Sequence, residues 1–525
     1  MQIFKSLSKT WESFSKFAIG SMNALFFLLF SGLSFSALFW NNSTFSYRTL
    51  PSLAALLFIA AILFFAAWLI HRLQKQKSLY LDWYFRHEKA GLFFLFFLIF
   101  IIQLSIVSFT HTSIGWDVGM VMNVALSGSP NEHAAYFSRY PNNFFLFLFF
   151  RFLGKTLGRI INIWLAAGLV NILFVDIALF LSCFCAKKCF GRKTFYCVFA
   201  LSALLFAFFP WLIVPYSDTL SMPFPIGIFA CFLCFREAEK RPKKIMFAVL
   251  AGLLTWIGYL IKPTVIIAWI AVAIVGCFLP FSAKKSFRQH AGFLLLTGIL
   301  FFLGSIIWQS FLYHQQWMEI DPQKAAPAEH FFMMGLNQGK GTYGSYKEDD
   351  VAFTFSFATL EERKEADLQV AFQRLQEYGP GGYLRFLWNK ARWVTSEGIF
   401  FWGKEGHFAD FSKSPFNDFQ NLFYPTGSFF PLFLYLAQGV WLLTLFLLII
   451  PFWPGCRFRK NKSFEALPLT ALLRCALLGI LLFILLFEGR SRYLILYLPC
   501  FSLLSGWALS VCFQRLFAQT SEEPL

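Results

Sequence analysis

The residues able to do chemistry here are two carboxylates and a few cations, set in four short polar motifs of an otherwise greasy chain. HTSIGWD at 111–117 carries Asp117, PYSDT at 215–219 carries Asp218, IKPT at 261–264 carries Lys262, and EGRSRY at 488–493 carries Arg490 and Arg492. A partly desolvated carboxylate can take a proton from a hydroxyl. Fixed cations near a helix N-terminus can hold a phosphate. Together they suit displacement at a carbon that bears a phosphate leaving group, with a base on one side and charge stabilisation on the other. The same residue types have plainer uses. Asp caps helices, paired outward carboxylates suit a divalent cation, and Lys or Arg near a span end snorkels to lipid phosphates.

The elements that must position these motifs follow from composition. Of 525 residues, 58% are hydrophobic and only 14% charged, and the mean hydropathy is +0.59, which excludes a water-soluble globule with an ordinary surface. Runs close to the ~20 residues that cross a bilayer fall at 18–40, 51–72, 91–109, 160–186, 194–213, 220–236, 244–261, 264–282, 290–311, 428–453, 466–487 and 493–512. The expected fold is an all-α polytopic membrane protein of about twelve transmembrane helices, with outer interfacial helices and one α-rich extracytoplasmic insert. Its parts are a transmembrane region over 1–311, the insert over 312–427, and C-terminal helices with a short tail over 428–525.

Short loops after the even spans hold the basic residues, among them Arg72, Lys75 and Lys77, then Lys187, Lys188, Arg192 and Lys193, and finally Arg457, Arg459, Lys460 and Lys462. Such loops stay cytoplasmic, so both termini are expected inside the cell membrane and all four motifs outside. The net charge of +17 is thereby a topology signal, and no nucleic-acid partner is expected. The first apolar run is too long for a cleavable signal core and reads as a permanent anchor. Cysteines are absent from 312–427, which leaves the insert without a disulfide framework. Cys231 and Cys234 lack the further ligands a zinc site needs.

Between the third and fourth runs, 110–159 should not cross again. A short helix over 117–126 and a second after Pro141 are expected to lie along the outer interface, with His111, Trp116, Arg139, Tyr140 and Asn143 near Asp117. In the insert, Thr359 and Glu362 fit a capping box for a helix that stops at Gly379 before Pro380. The next run places Tyr383, Phe386, Leu387 and Trp393 on one side and Lys390 and Arg392 off it, as in a helix resting on the outer leaflet. Glu397 and His407 follow. Asp176 and Arg474 lie inside spans, and buried charges in lipid tend to find each other, so the two are expected to pair, the alternative being that Arg474 snorkels to the cytoplasmic side.

Taken in order, the first-loop Asp117, the YPNN at 140–143, PYSDT, IKPT, EGRSRY, HFFMMGLNQGKGTYGSYKEDD at 330–350 and WVTSEGIFFWG at 393–403 resemble the GT-C superfamily of membrane glycosyltransferases. The likeness is to the protein O-mannosyltransferase and aminoarabinose transferase branch in its Gram-positive bacterial versions, over roughly the whole chain. It implies transfer of a sugar from a polyprenyl-phosphate donor to an acceptor hydroxyl on the extracytoplasmic face. It also implies catalytic carboxylates at Asp117 and Asp218 and donor-phosphate cations at Lys262, Arg490 and Arg492, and Arg139, a further cation of the outer loops, is expected to join that phosphate site. Substrate-facing neighbours would be His111, Trp116, Tyr140, Asn143, Tyr216, Glu397, Glu488 and Tyr493. The acceptor would be a cell-envelope glycan, lipid or protein. Two departures stand out: the first-loop acid follows the third span rather than the first, and no tight D-x-D or D-E pair for a divalent cation is present.

A multi-span transporter or flippase of lipid-linked sugars is the other reading of twelve spans. A carrier should show internal repeats and polar residues at the midplane. Here no repeat relates the halves, and the polar motifs sit at span ends.

Overall fold

The computed structural model describes the chain except residues 1, 41–43, 45, 77, 279–283, 405–410, 412–413, 453–467 and 520–525. Lys77, His407, Cys456, Arg457, Arg459, Lys460 and Lys462 lie outside the described residues. All named elements are helical. Among the described residues ten helices are long and apolar enough to cross a membrane: Ser13–Phe39, Thr49–Lys75, Glu88–Thr110, Ile163–Phe190, Ser217–Glu237, Arg241–Ile261, Phe287–His314, Phe430–Phe452, Pro468–Leu486 and Ser491–Phe517.

The other two of the twelve expected spans are present in altered form. The run at 194–213 begins as helix Arg192–Ser202, widens into a π-turn at Ala203–Ala207, and ends in a 3-10 turn at Pro210–Ile213. Pro210 has no backbone N–H to continue an α-helix, so the chain bends instead of running straight across. The run after Pro263 is short, with its described part ending at Phe278.

Burial separates a core from a lipid-facing rim. Helices Ser217–Glu237 and Ser491–Phe517 are 94% enclosed by protein over their most apolar stretch, against 11% for Phe287–His314 and 17% for Thr49–Lys75. The last helix lies against Arg192–Ser202 and Phe430–Ile449, and Pro223–Glu237 lies against Arg241–Ile261. The two enclosed helices therefore begin, at Ser217 and Ser491, where two of the polar motifs are placed.

Asp176 and Arg474 do not pair. Gln103 donates to Asp176 across 2.9 Å, while Arg474 donates to Asn23 across 2.6 Å and lies over the Phe452 ring. An amide on a neighbouring helix satisfies each group locally, which removes the need for a distant partner.

The interfacial segment forms helix Trp116–Leu126, then Pro130–His133, Ala134–Arg139, Pro141–Asn143 and Phe144–Lys155. Helix Ala134–Arg139 was not expected from the sequence; its six residues are too few to show a period. The insert opens along this segment, with Glu319, Asp321 and Ala326 donating backbone N–H groups to Asn131, Ser138 and the Arg139 carbonyl. It then builds its own small core of Met333, Leu336, Ala371 and Phe386. Beside that core Arg374 grips both oxygens of Asp350, at 2.6 and 3.1 Å.

The Thr359–Glu362 capping box is present, and the helix it starts kinks at Gly379, whose φ of 59° suits glycine. Beyond the kink the helix departs from the expected interfacial pose. Lys390, Ala391, Trp393 and Val394 are all buried, because this half runs in against the first helix and Pro468–Leu486 rather than over lipid.

Candidate functional site

The four polar motifs meet in space at span ends. Asp218 opens the short helix Ser217–Leu220 after Tyr216, which holds the cap position, so its carboxylate does not cap. It is ion-paired with Lys262 through one oxygen and with Arg492 through the other, the latter at 3.4 Å. All three are nearly enclosed, at 1%, 8% and 7% exposure. Two cations on one buried carboxylate compensate its charge and leave the triad with a net positive charge. They also occupy the oxygens that a divalent cation would need. Among the described residues no group of three His, Cys, Asp or Glu side chains gathers as a metal site, so the arrangement does not fit the divalent ion that paired carboxylates suggested.

Aromatic rings surround this triad. The Arg492 guanidinium lies 4.4 Å over Trp116 and 5.7 Å from both Tyr216 and Tyr493, and the Lys262 ammonium lies 4.6 Å over Tyr493. Ring faces attract cations without neutralising them. Trp116 meets Tyr216 edge-on at 5.4 Å and has a φ of 47°, a region that non-glycine residues rarely adopt.

Asp117 is in a different environment. It is half-buried, in the first turn of Trp116–Leu126, whose cap is Gly115, so the helix N-terminus favours its negative charge. A chain of hydrogen bonds points toward it. Tyr216 donates to the Asn143 carbonyl at 3.2 Å, Asn143 donates its amide N–H to the Tyr136 hydroxyl at 2.8 Å, and Tyr136 donates to Asp117 Oδ1 at 2.8 Å. Burial pushes the Tyr136 phenol well up from its ordinary pKa, with Tyr216 and the Asp117 charge adding to the effect. It therefore remains a donor. Among the described residues nothing else bonds the Asp117 carboxylate, which leaves Oδ2 for a ligand.

Glu488 accepts from the Tyr493 hydroxyl at 2.5 Å and faces Arg490 at 3.8 Å. Arg490 lies over Phe401 and Tyr346. Ser491 donates to Glu397, and both are buried. Arg139 stands apart from the triad. It lies 3.8 Å over Phe355 of the insert and beside Tyr140, whose phenol burial raises while Arg139 opposes the shift. His111 turns back on its own helix, its ring nitrogen near the Val107 and Ser108 carbonyls at 3.2 and 3.0 Å.

Three participants were not singled out from the sequence. Tyr136 lies four residues before Tyr140, Ser491 lies between two arginines, and Lys390 was placed on the wrong face of its helix. Tyr136 and Ser491 have no sequence signal beyond their polarity, whereas Lys390 had one: seven residues after Tyr383, four after Phe386 and three before Trp393, it falls on the apolar side of its helix.

A family model described as a conserved hypothetical integral membrane protein matches residues 13–513. The chain belongs to that family. The match covers nearly all of the chain and gives membrane residence without an activity. No curated protein matches the chain, and no solved structure does.

Proposed function

We propose that this integral membrane protein is a glycosyltransferase that moves a sugar from a polyprenyl-phosphate donor to a cell-envelope acceptor hydroxyl on the extracytoplasmic face. The observation that carries the reading is the pairing of a half-exposed carboxylate, Asp117, with a ring-lined cation cluster, Lys262 and Arg492, joined to it through Tyr216. Asp117 Oδ2 takes the acceptor proton while Tyr136 holds Oδ1 and fixes the carboxylate plane. Lys262 and Arg492, set in place by Asp218, face the departing phosphate. Asp218 thus serves as the counter-ion that positions the cations. On this reading both termini are cytoplasmic, and the site opens at the outer rim of the cell membrane.

The test is reconstitution in proteoliposomes with labelled polyprenyl-phosphate sugars and an envelope glycan fraction. Covalent transfer of label that disappears with Asp117→Asn supports the reading. Movement of the intact lipid-linked sugar between leaflets without covalent transfer overturns it in favour of a flippase.

A further inference from the structure

We propose that Lys390 is a positioning residue, a pin that locks the insert onto the loop carrying Glu488, Arg490 and Arg492 and so sets the cation cluster. The functional half of this rests on the transferase reading; the structural half stands without it. The Lys390 side chain is completely buried. Its ammonium donates to the carbonyls of Gly335 at 2.7 Å, Leu485 at 3.2 Å and Phe487 at 2.7 Å.

These acceptors sit at helix ends. Gly335 closes helix Ala328–Gly335, and Leu485 and Phe487 flank the end of Pro468–Leu486. The last carbonyls of a helix have no partner within it and carry the negative end of its dipole. Two such ends converge on one ammonium, and its three N–H groups meet three acceptors. A buried charge is otherwise costly, so this lysine is stable only while the insert and the transmembrane helix are both in place.

The surrounding backbone is stitched the same way. Glu488 donates its N–H to Phe331 and Gly489 donates to Gly344, at 2.8 and 3.0 Å. Gly344 has a φ of +61°, and a Cβ there would stand 2.4 Å from both the Lys390 ammonium and the Gly335 carbonyl. Only glycine lets the ammonium reach its acceptors. The pinned turn leads directly to the site, since Glu488 holds the Tyr493 hydroxyl, Tyr493 lies under Lys262, and Arg492 grips Asp218. A shift of the insert is therefore a shift of the cations.

The experiment is hydrogen exchange on the full-length protein in detergent, paired with turnover in proteoliposomes. In Lys390→Met, peptides over 331–345 and 485–493 should exchange about tenfold faster, while 363–375, anchored by the Asp350–Arg374 pair, keeps its protection. Gly344→Ala should give the same pattern and serves if Lys390→Met does not fold. Leu375→Ala, which thins the insert core, should lower stability without selectively opening 485–493. Turnover in Lys390→Met should fall about tenfold with the donor KM within about twofold, the mark of an interaction used in the transition state. Unchanged exchange at 485–493, or equal opening by Leu375→Ala, overturns the pin. Opened exchange with full turnover overturns its positioning role. If the parent protein transfers no sugar, the transferase reading fails and the exchange result alone decides the pin.

Discussion

Replacing Asp117 with Asn is the sharpest probe of the site because the substitution keeps shape and removes one property. The Asn carbonyl oxygen can still accept from Tyr136 across 2.8 Å, so the chain from Tyr216 through Asn143 stays intact. The side chain is half-buried and, among the described residues, forms no ion pair, its bond being the one from Tyr136, so the folding loss should stay within about 1 kcal/mol, the worth of one net hydrogen bond. On the transferase reading, what disappears is the basic oxygen that would face the acceptor. General-base assistance is worth about 10²- to 10⁴-fold, so turnover should fall by at least about 100-fold, or about 2.7 kcal/mol in barrier at 1.36 kcal/mol per decade. The assay is label transfer from polyprenyl-phosphate sugar in proteoliposomes, with the thermal midpoint measured on the same preparation. A variant that folds normally and retains more than about a tenth of parental turnover would refute the base assignment and the reasoning built on Tyr136.

Asp218 should behave differently. Asp218→Asn leaves Lys262 and Arg492 buried without their counter-ion, and breaking such a pair costs about 3–5 kcal/mol; the expected result is poor expression and a much lower midpoint in detergent, and a midpoint near that of the parent would contradict the triad. The insert should show opposed pH slopes. Burial pushes His330 down to about 4, so between there and its ordinary value only the unfolded chain binds that proton, and stability falls as pH falls. Asp367, which accepts from Thr354 beside His330, is raised by burial to about 6; it binds its proton first in the folded state, and stability rises as pH falls from about 6 toward its ordinary value. The parent midpoint should therefore be nearly level between pH 6 and 4, while His330→Gln should gain stability on acidification, and a falling midpoint in that variant would refute the assignment.

Legibility varied with the range of the interaction. The Thr359 capping box was readable because both partners lie within four residues, and helix Trp116–Leu126 was readable because glycine and an acid mark its start. The straight span expected at 194–213 passed over a local signal, since Pro210 breaks a helix wherever it falls, while nothing in the sequence marks the π-turn at Ala203–Ala207. Lys390 was misplaced for a related reason. Its spacing from Tyr383, Phe386 and Trp393 already puts it on the apolar side of the helix, but the carbonyls that satisfy a lysine there are 55, 95 and 97 residues away.

By itself the sequence determined membrane residence, the approximate number of spans and the candidates Asp117, Asp218, Lys262 and Arg492, because apolar length and local polarity are properties of neighbouring residues. Tertiary structure decided their surroundings. It enclosed Asp218 between two cations, left Asp117 half-exposed at the end of a tyrosine–asparagine chain, moved Arg139 out to Phe355, and turned Lys390 inward. A carboxylate becomes a base or a counter-ion according to the charges and water that reach it, and those are set by contacts between distant segments.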